Sequence, residues 1–146
     1  MSDMKTYFSD VQRAIELLEN HSVAFCKGDA FAVYDGKGVS PLLRAIDDNV
    51  NFSGYSACDR IVGKAAASLF VLLGAVSVHG KVMSRHGLEY LQKHGIKASY
   101  DVLCDDIINR DGTDICPMEK AVKSVEEPSE CLIAIRQRLS ELRKEK

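Results

Sequence analysis

The sequence predicts an α/β fold of three layers, a central mixed sheet with helices on both faces. Two observations carry that expectation. Apolar spacing and turn signals read in order as helix, hairpin, helix, strand, helix, strand and then helices, an alternation that lays helices over a sheet. The chain has 146 residues, 46% hydrophobic and 27% charged, which fits a single domain spanning residues 1–146.

Each element has its own signal. Val11, Ala14, Ile15 and Leu18 recur at helical spacing, so a first helix ends near Asn20. In SVAFCKGDAFAVY, two strand-like runs flank the turn signal Lys27-Gly28-Asp29, and DGKG closes the resulting antiparallel hairpin. Ser40 before Pro41 reads as an N-cap with proline at the first helical position of PLLRAIDD. Asn49 to Ser56 is a polar loop, and a long helix runs from about Cys58 to Leu73. AVSVHG is a short strand. Ser84 then caps the helix RHGLEYLQKH, and Gly95 stops it. IKASYDVLC is another strand, followed by a brief one near Ile107 and Ile108. NRDGTDICPMEKAV turns into a helix that starts at Cys116-Pro117. Leu132, Ile135, Leu139 and Leu142 mark an additional C-terminal helix within residues 128–146, ending in the solvated tail RKEK.

Bulk properties remove several function classes. A formal net charge of -2 provides no basic field for nucleic acid. The longest apolar run, Ile61 to Ala75, is broken by Lys64 and is too short to span a bilayer. The start MSDMKTYFSD has no signal-peptide core, so a cytoplasmic protein without a membrane partner is expected. The five cysteines, at 26, 58, 104, 116 and 131, are odd in number and form no CxxC pair. That argues against a disulfide framework and a paired-thiolate zinc site, and it fits reduced thiols. His21, His79, His86 and His94 form no HxH, HxxxH or HExxH pattern, so neither metal nor cofactor is expected.

The helix expected from about Cys58 carries the main functional clue. At 100° per residue its second half is apolar all round. Its first half has a narrow face with Arg60, Gly63, Lys64 and Ala67. Arg60 and Lys64 then form a like-charge i,i+4 pair at the end where the helix dipole disfavours cations by about 0.3–1 kcal/mol. Asp59 offsets only part of that charge, so an electronegative group belongs nearby. It is either a structural partner (Asp47, Asp48, Asp111, Asp114 or Glu119) or a bound phosphate or carboxylate. Gly63-Lys64 is not a P-loop, because Cys58 stands at the upstream glycine position and Ala65 where Ser or Thr is required. In NRDGTDICPME, Asn109 and Arg110 end a strand, where α/β sheets expose ligand contacts. Cys116 precedes Pro117 at a helix start. It is either a plain N-cap with Glu119 closing a capping interaction, or a thiol activated by the dipole.

Four segments together resemble a family of small uncharacterised bacterial and archaeal proteins similar in fold to cytidine deaminases. They are GVSPLL (38–43), GYSACDRIVGKAAA (54–67), INR (108–110) and CPME (116–119), and the resemblance spans about residues 5 to 125. It implies a mixed sheet covered by helices on both faces. It also places the helix starting near Cys58-Asp59 where a deaminase carries its first zinc ligand and catalytic glutamate. The chain departs from that chemistry: CDR (58–60) and VMSRHGLE (82–89) supply neither His-x-Glu nor Pro-Cys-x-x-Cys, so zinc deamination is not expected.

Three functions follow as expectations. The first is a binding protein for a nucleotide-like or other anionic small molecule, held by Asp59, Arg60, Gly63, Lys64, Asn109, Arg110, Cys116 and Glu119. The second is an enzyme of another class with Cys116 or Asp59 as nucleophile. The third is an interaction module, docking a partner or a second copy in a homo-oligomer through the last helix.

Overall fold

The computed structural model describes residues 2–145, with side chains from residue 9 onward. Its strands are β1 (Val23–Lys27), β2 (Ala30–Tyr34), β3 (Ser56–Val62), β4 (Ser77–Ser84) and β5 (Lys97–Cys104). They form one sheet in the order β2-β1-β3-β4-β5. β1 is antiparallel to β2 and β3, whereas β3, β4 and β5 run parallel, so the sheet is mixed as expected. The helices are α1 (Ser2–Leu18), α2 (Ser40–Asp47), α3 (Lys64–Leu73), α4 (Arg85–Lys93), α5 (Pro117–Val122) and α6 (Pro128–Lys144).

Two hydrophobic clusters define the layers. On one face α1 packs Ala14 and Leu18 against Ala24, Cys26 and Cys58. On the other, α2, α3 and α4 bury Leu42, Leu69, Phe70 and Leu91 with Phe25, Ala57, Val78 and Met83 of the sheet. The alternation of strand side chains accomplishes the division: Ala57 faces one cluster and its neighbour Cys58 the other. α5 and α6 pack against α3 from outside. That outer cover explains why α3 is apolar around nearly its whole circumference, with Leu72 alone among its described leucines markedly exposed. Among the described residues, no helix is long and apolar enough to cross a membrane.

The long helix expected from Cys58 is instead a strand followed by a shorter helix. Residues 56–62 form β3, and α3 starts only at Lys64, with Gly63 as its extended N-cap. A run of apolar residues does not by itself separate a buried strand from a buried helix. Ile61 and Val62 are β-branched and favour the strand, and Gly63 breaks the periodicity that seemed continuous across it. Arg60 and Lys64 are therefore on different elements, and the i,i+4 pair does not exist. Ser40 is the first residue of α2 rather than its cap; its hydroxyl donates to the Lys37 carbonyl at 2.6 Å. The brief strand near Ile108 reduces to a single bridge with Ile115. The short strand expected as AVSVHG (75–80) continues to Ser84 as β4, with Val82 and Met83 still paired to β3 and β5. The other helix boundaries lie close to expectation. Ser84 caps α4, accepting from Gly87 N at 3.0 Å, and Gly95 follows the α4 C-cap His94 with φ +77°. All five cysteines are free thiols.

Two helix N-termini meet at the end of the parallel strands. A Cβ added to Gly87 would lie 2.7 Å from the Val62 carbonyl oxygen and 3.0 Å from the Gly63 carbonyl carbon. Only glycine lets α4 approach the β3–α3 junction this closely. Gly87→Ala is expected to lower stability by about 1–3 kcal/mol, an overpacking cost that backbone cannot relax cheaply. Chemical denaturation of the two proteins measures it, and a change below ~0.5 kcal/mol contradicts the packing described.

Candidate functional site

The C-terminal ends of β3, β4 and β5 converge with the starts of α3 and α4, the edge at which parallel α/β sheets expose ligands. There the carboxylate of Glu119, carried by α5, sits on the first amides of α3. Its Oε1 accepts from Lys64 N at 2.8 Å and its Oε2 from Ala65 N at 2.9 Å. A side chain on Gly63 would overlap this carboxyl group, so the glycine makes the seat. Helix starts leave such N–H groups without intrahelical partners, and an anion satisfies them. Burial pushes the Glu119 pKa up, while the Ala65 and Lys64 amides, then His86 and Lys64, pull it back. Glu119 as a residue stays half-buried, while Gly63, Lys64 and Ala65 beneath its carboxylate are buried.

The Lys64 side chain points elsewhere. It is 8% exposed, and its Nζ donates to Glu126 Oε2 and to the Lys123 carbonyl, both at 3.2 Å. The ammonium also stands 5.8 Å from the Tyr90 ring centroid, within cation–π range. Lys93 Nζ reaches the other Glu126 oxygen at 2.6 Å, and Tyr90 OH donates to the Glu126 carbonyl at 2.6 Å. Together these contacts tie the α5–α6 loop to α3 and α4. A nearly buried ammonium is tolerated only when so paired.

Of the residues singled out in the sequence, the fold brings Gly63, Lys64 and Glu119 together. Cys116 lies at the N-cap of α5, half-buried, with no hydrogen bond from its side chain to the helix amides. Asn109 closes the 109–114 turn: its Oδ1 accepts from Thr113 N at 3.0 Å and its Nδ2 donates to Thr113 Oγ1 at 3.2 Å. Arg110 is exposed on that turn. Arg60 leaves the group altogether. Its Nε donates to the His21 carbonyl at 2.9 Å and its Nη2 to the Glu19 carbonyl, just past the C-terminus of α1. A cation at that end complements the helix dipole. Asp59, on β3, is half-buried, and its Oδ1 accepts from Arg60 N at 2.7 Å. Burial pushes its pKa up to about 7, against the pull of the Arg60 and Ile61 amides and the Arg60 charge.

Other polar residues of the site were not singled out beforehand. At the rim, His86 Nε2 lies 3.5 Å from Asp106 Oδ1, and Arg85 Nε donates to Asp105 Oδ1 at 2.9 Å. Cys104 Sγ lies beside them, 3.4 Å from the Asp106 carbonyl oxygen. Burial raises the Cys104 thiol pKa, and Asp105, Asp106 and Glu119 raise it further. On β4 and β5 a second network appears. His79, 7% exposed, bridges Ser99 Oγ (2.8 Å from Nδ1) and Asp101 Oδ1 (2.9 Å from Nε2). Lys81 Nζ adds a contact to Asp101 Oδ2 at 3.5 Å. The two-residue spacings His79-x-Lys81 and Ser99-x-Asp101 were visible, but the pairing of His79 with Ser99 depends on strand register. Among the described residues no three His, Cys, Asp or Glu side chains converge to hold a metal ion. An open groove of about 440 Å³ lies elsewhere, between the α5–α6 loop and α6, lined by Val125, Glu127, Glu130 and Ile133.

The raised pKa of Asp59 fixes a pH dependence. An acid whose folded pKa lies above its ordinary 3.8 holds its proton longer in the folded chain than in the unfolded one. Its contribution is fully present below about pH 4 and is lost as pH rises through about 7. Asp59→Asn keeps the acceptor for the Arg60 amide and removes the titration. It is expected to leave stability at pH 4 nearly unchanged and to raise it at pH 8 by about 1–3 kcal/mol, since half-exposure to water reduces the full effect. Denaturant midpoints at both pH values measure this, and equal effects of the substitution at the two would contradict it.

Comparison with known proteins places the chain. A crystal structure of a DUF1893 family protein (TM1506) from Thermotoga maritima superposes with a TM-score of 0.79 at 28% identity, covering 91% of this chain and 90% of that one. A diaminohydroxyphosphoribosylaminopyrimidine deaminase/5-amino-6-(5-phosphoribosylamino)uracil reductase from the same organism gives 0.43 at 17% identity, over 67% of this chain and 37% of that one. No curated protein matches the sequence. The family model described as TM1506, domain of unknown function (DUF1893), matches residues 12–139, and the chain belongs to that family.

Proposed function

We propose that the protein binds a small anionic, nucleotide-like molecule at the C-terminal edge of β3, β4 and β5, and does so without zinc deamination. One observation supports this reading. The start of α3 already holds a carboxylate on two amides, in a seat that Gly63 keeps free of side chain. A phosphate or carboxylate of the ligand replaces Glu119 on Lys64 N and Ala65 N. Arg85 at the rim supplies positive charge, Arg110 on its exposed turn adds to it, and the His86 imidazole offers a ring nitrogen. Asn109 binds a base or ribose only if the 109–114 turn opens, because its amide is already committed within that turn.

Thermal shift of the wild-type protein with inorganic phosphate, nucleosides and nucleotides at about 1–10 mM tests the reading, since a ligand of the native state raises Tm in proportion to its occupancy. A rise with an anionic member of the panel is expected. Glu119→Ala removes the internal competitor, and the same anion should bind that variant roughly fivefold more tightly, the equivalent of a cap worth about 1 kcal/mol. No shift for the wild type at ~10 mM sinks the proposal, even if the variant responds.

A second reading is favoured by the array on β4 and β5. An ionised Asp101 only accepts hydrogen bonds, so the neutral imidazole of His79 would carry its proton on Nε2 and turn its Nδ1 lone pair to the exposed Ser99 hydroxyl. That is the order of nucleophile, base and orienting carboxylate found in acyl-transfer sites. Ser99 Oγ would add to an ester carbonyl while His79 takes its proton and passes it to the departing alcohol; water then releases the acyl group by the same route. Incubation with a fluorophosphonate probe and peptide mass spectrometry decides it. Labelling of Ser99, abolished in His79→Asn, is expected on this reading; an unlabelled Ser99 removes it.

A further inference from the structure

The two edges of the sheet are treated differently. β2 is five residues long and sits within a tight hairpin. β5 is eight residues long, contains no proline, and has β4 as its neighbour on one side only. Soluble proteins blunt long edge strands with proline, bulges, brevity or free charge, because unpaired N–H and C=O groups recruit further strands. The charge in the middle of β5, Asp101, is already engaged by His79 and Lys81. Two large apolar side chains are also exposed on it, Tyr100 at 41% and Val102 at 55%, beside the exposed Ser99 and Asp101. Val102 is in register with Val82, and Val82 with Ile61, which is 52% exposed, so an apolar row crosses from β3 to the edge.

We propose that β5 pairs antiparallel with β5 of a second copy about a two-fold axis at Tyr100, making one continuous sheet across a homodimer. The register follows from the sequence of the strand. In an antiparallel ladder directly opposed residues must both turn their N–H and C=O groups toward the partner or both away, so the two-fold axis passes through a residue and not between two. An axis at Asp101 sets two carboxylates face to face, which is destabilising. An axis at Ser99 opposes only residues 97–101 of the strand. An axis at Tyr100 opposes residues 97–103 without like charges: Tyr100 meets the Tyr100 of the other copy, and Ala98 meets Val102. A strand that is self-complementary in this way specifies a second copy of the same chain rather than an unrelated peptide. The proposal is independent of any ligand at α3.

Sedimentation of the intact protein and of two variants tests it. The wild type should be dimeric at roughly 100 μM, and Val102→Lys, a change at an exposed position, should weaken the dimer at least about tenfold while leaving the circular dichroism spectrum unchanged. Tyr100→Cys should form an intermolecular disulfide under mild oxidation. Opposed Cα atoms in an antiparallel ladder are about 4.5 or 5.5 Å apart, and both spacings accommodate the bond. The wild type, treated identically, should not cross-link through its own five cysteines. A monomer at that concentration overturns the proposal. So does a dimer indifferent to Val102→Lys, or a Tyr100→Cys protein that stays uncross-linked.

Discussion

The carboxylate of Glu119 on the first amides of α3 organises this molecule. It satisfies two N–H groups at the start of a nearly enclosed helix, where water alone would do so poorly. It requires Gly63, because any side chain there would occupy the same space. It fixes the position of α5, a helix of six residues too short to hold itself in place. From α5 the chain passes into the loop at Lys123–Glu127, which Lys64, Lys93 and Tyr90 fasten from the other side. The start of α3 is thus clasped at backbone and side chain by two glutamates from the C-terminal part of the chain. That clasp holds α6 over the outer face of α3 and gives the apolar helix its second cover.

The two contacts differ in character. Glu119 is half-buried, and burial raises its pKa, so its ionised form is held at some disadvantage relative to water. Glu126 is exposed, and its pKa is lowered, first by the bond to Lys93 and then by that to Lys64. The exposed pair is screened by solvent and adds little by itself. Its value lies in keeping the Lys64 ammonium, which is nearly out of water, from being left without an acceptor. The electronegative group demanded by the sequence at this helix start is therefore supplied twice from within the chain.

Much of the fold was legible because the signals are local. The hairpin around Gly28, the Ser84 cap with Gly95 beyond α4, and the Pro117 and Pro128 helix starts each rest on a few adjacent residues. The error fell at 58–63, where local signals conflict: an apolar run joins a strand to a helix, and a lone glycine is the only punctuation. That error created an apparent cation pair, and Arg60 turned out to serve the end of α1. Part of the site was legible as well. Gly63, Lys64 and Glu119 were each singled out, although the contact that unites them spans more than fifty residues of chain. His86 and Cys104 were not, since nothing in their neighbours' identities says that the start of α4 and the end of β5 lie near Glu119. The pairing of His79 with Ser99 and Asp101 was hidden for the same reason, because register between parallel strands is set by the packing of the whole sheet.

Whether an internal carboxylate excludes a ligand is a question of magnitudes. A capping contact is worth about 1 kcal/mol, so a competitor of that strength weakens an incoming anion only about fivefold. Displacing Glu119 also returns a desolvated carboxylate to water, which recovers part of what the lost amide bonds gave. A phosphate offers more acceptor oxygens than the glutamate and carries more charge, and it meets Arg85 and His86 at a rim where both are well exposed. The balance favours exchange more than it would for a cap buried on all sides. Glycine at position 63 serves either occupant equally, since each needs the same empty volume before the first turn of α3.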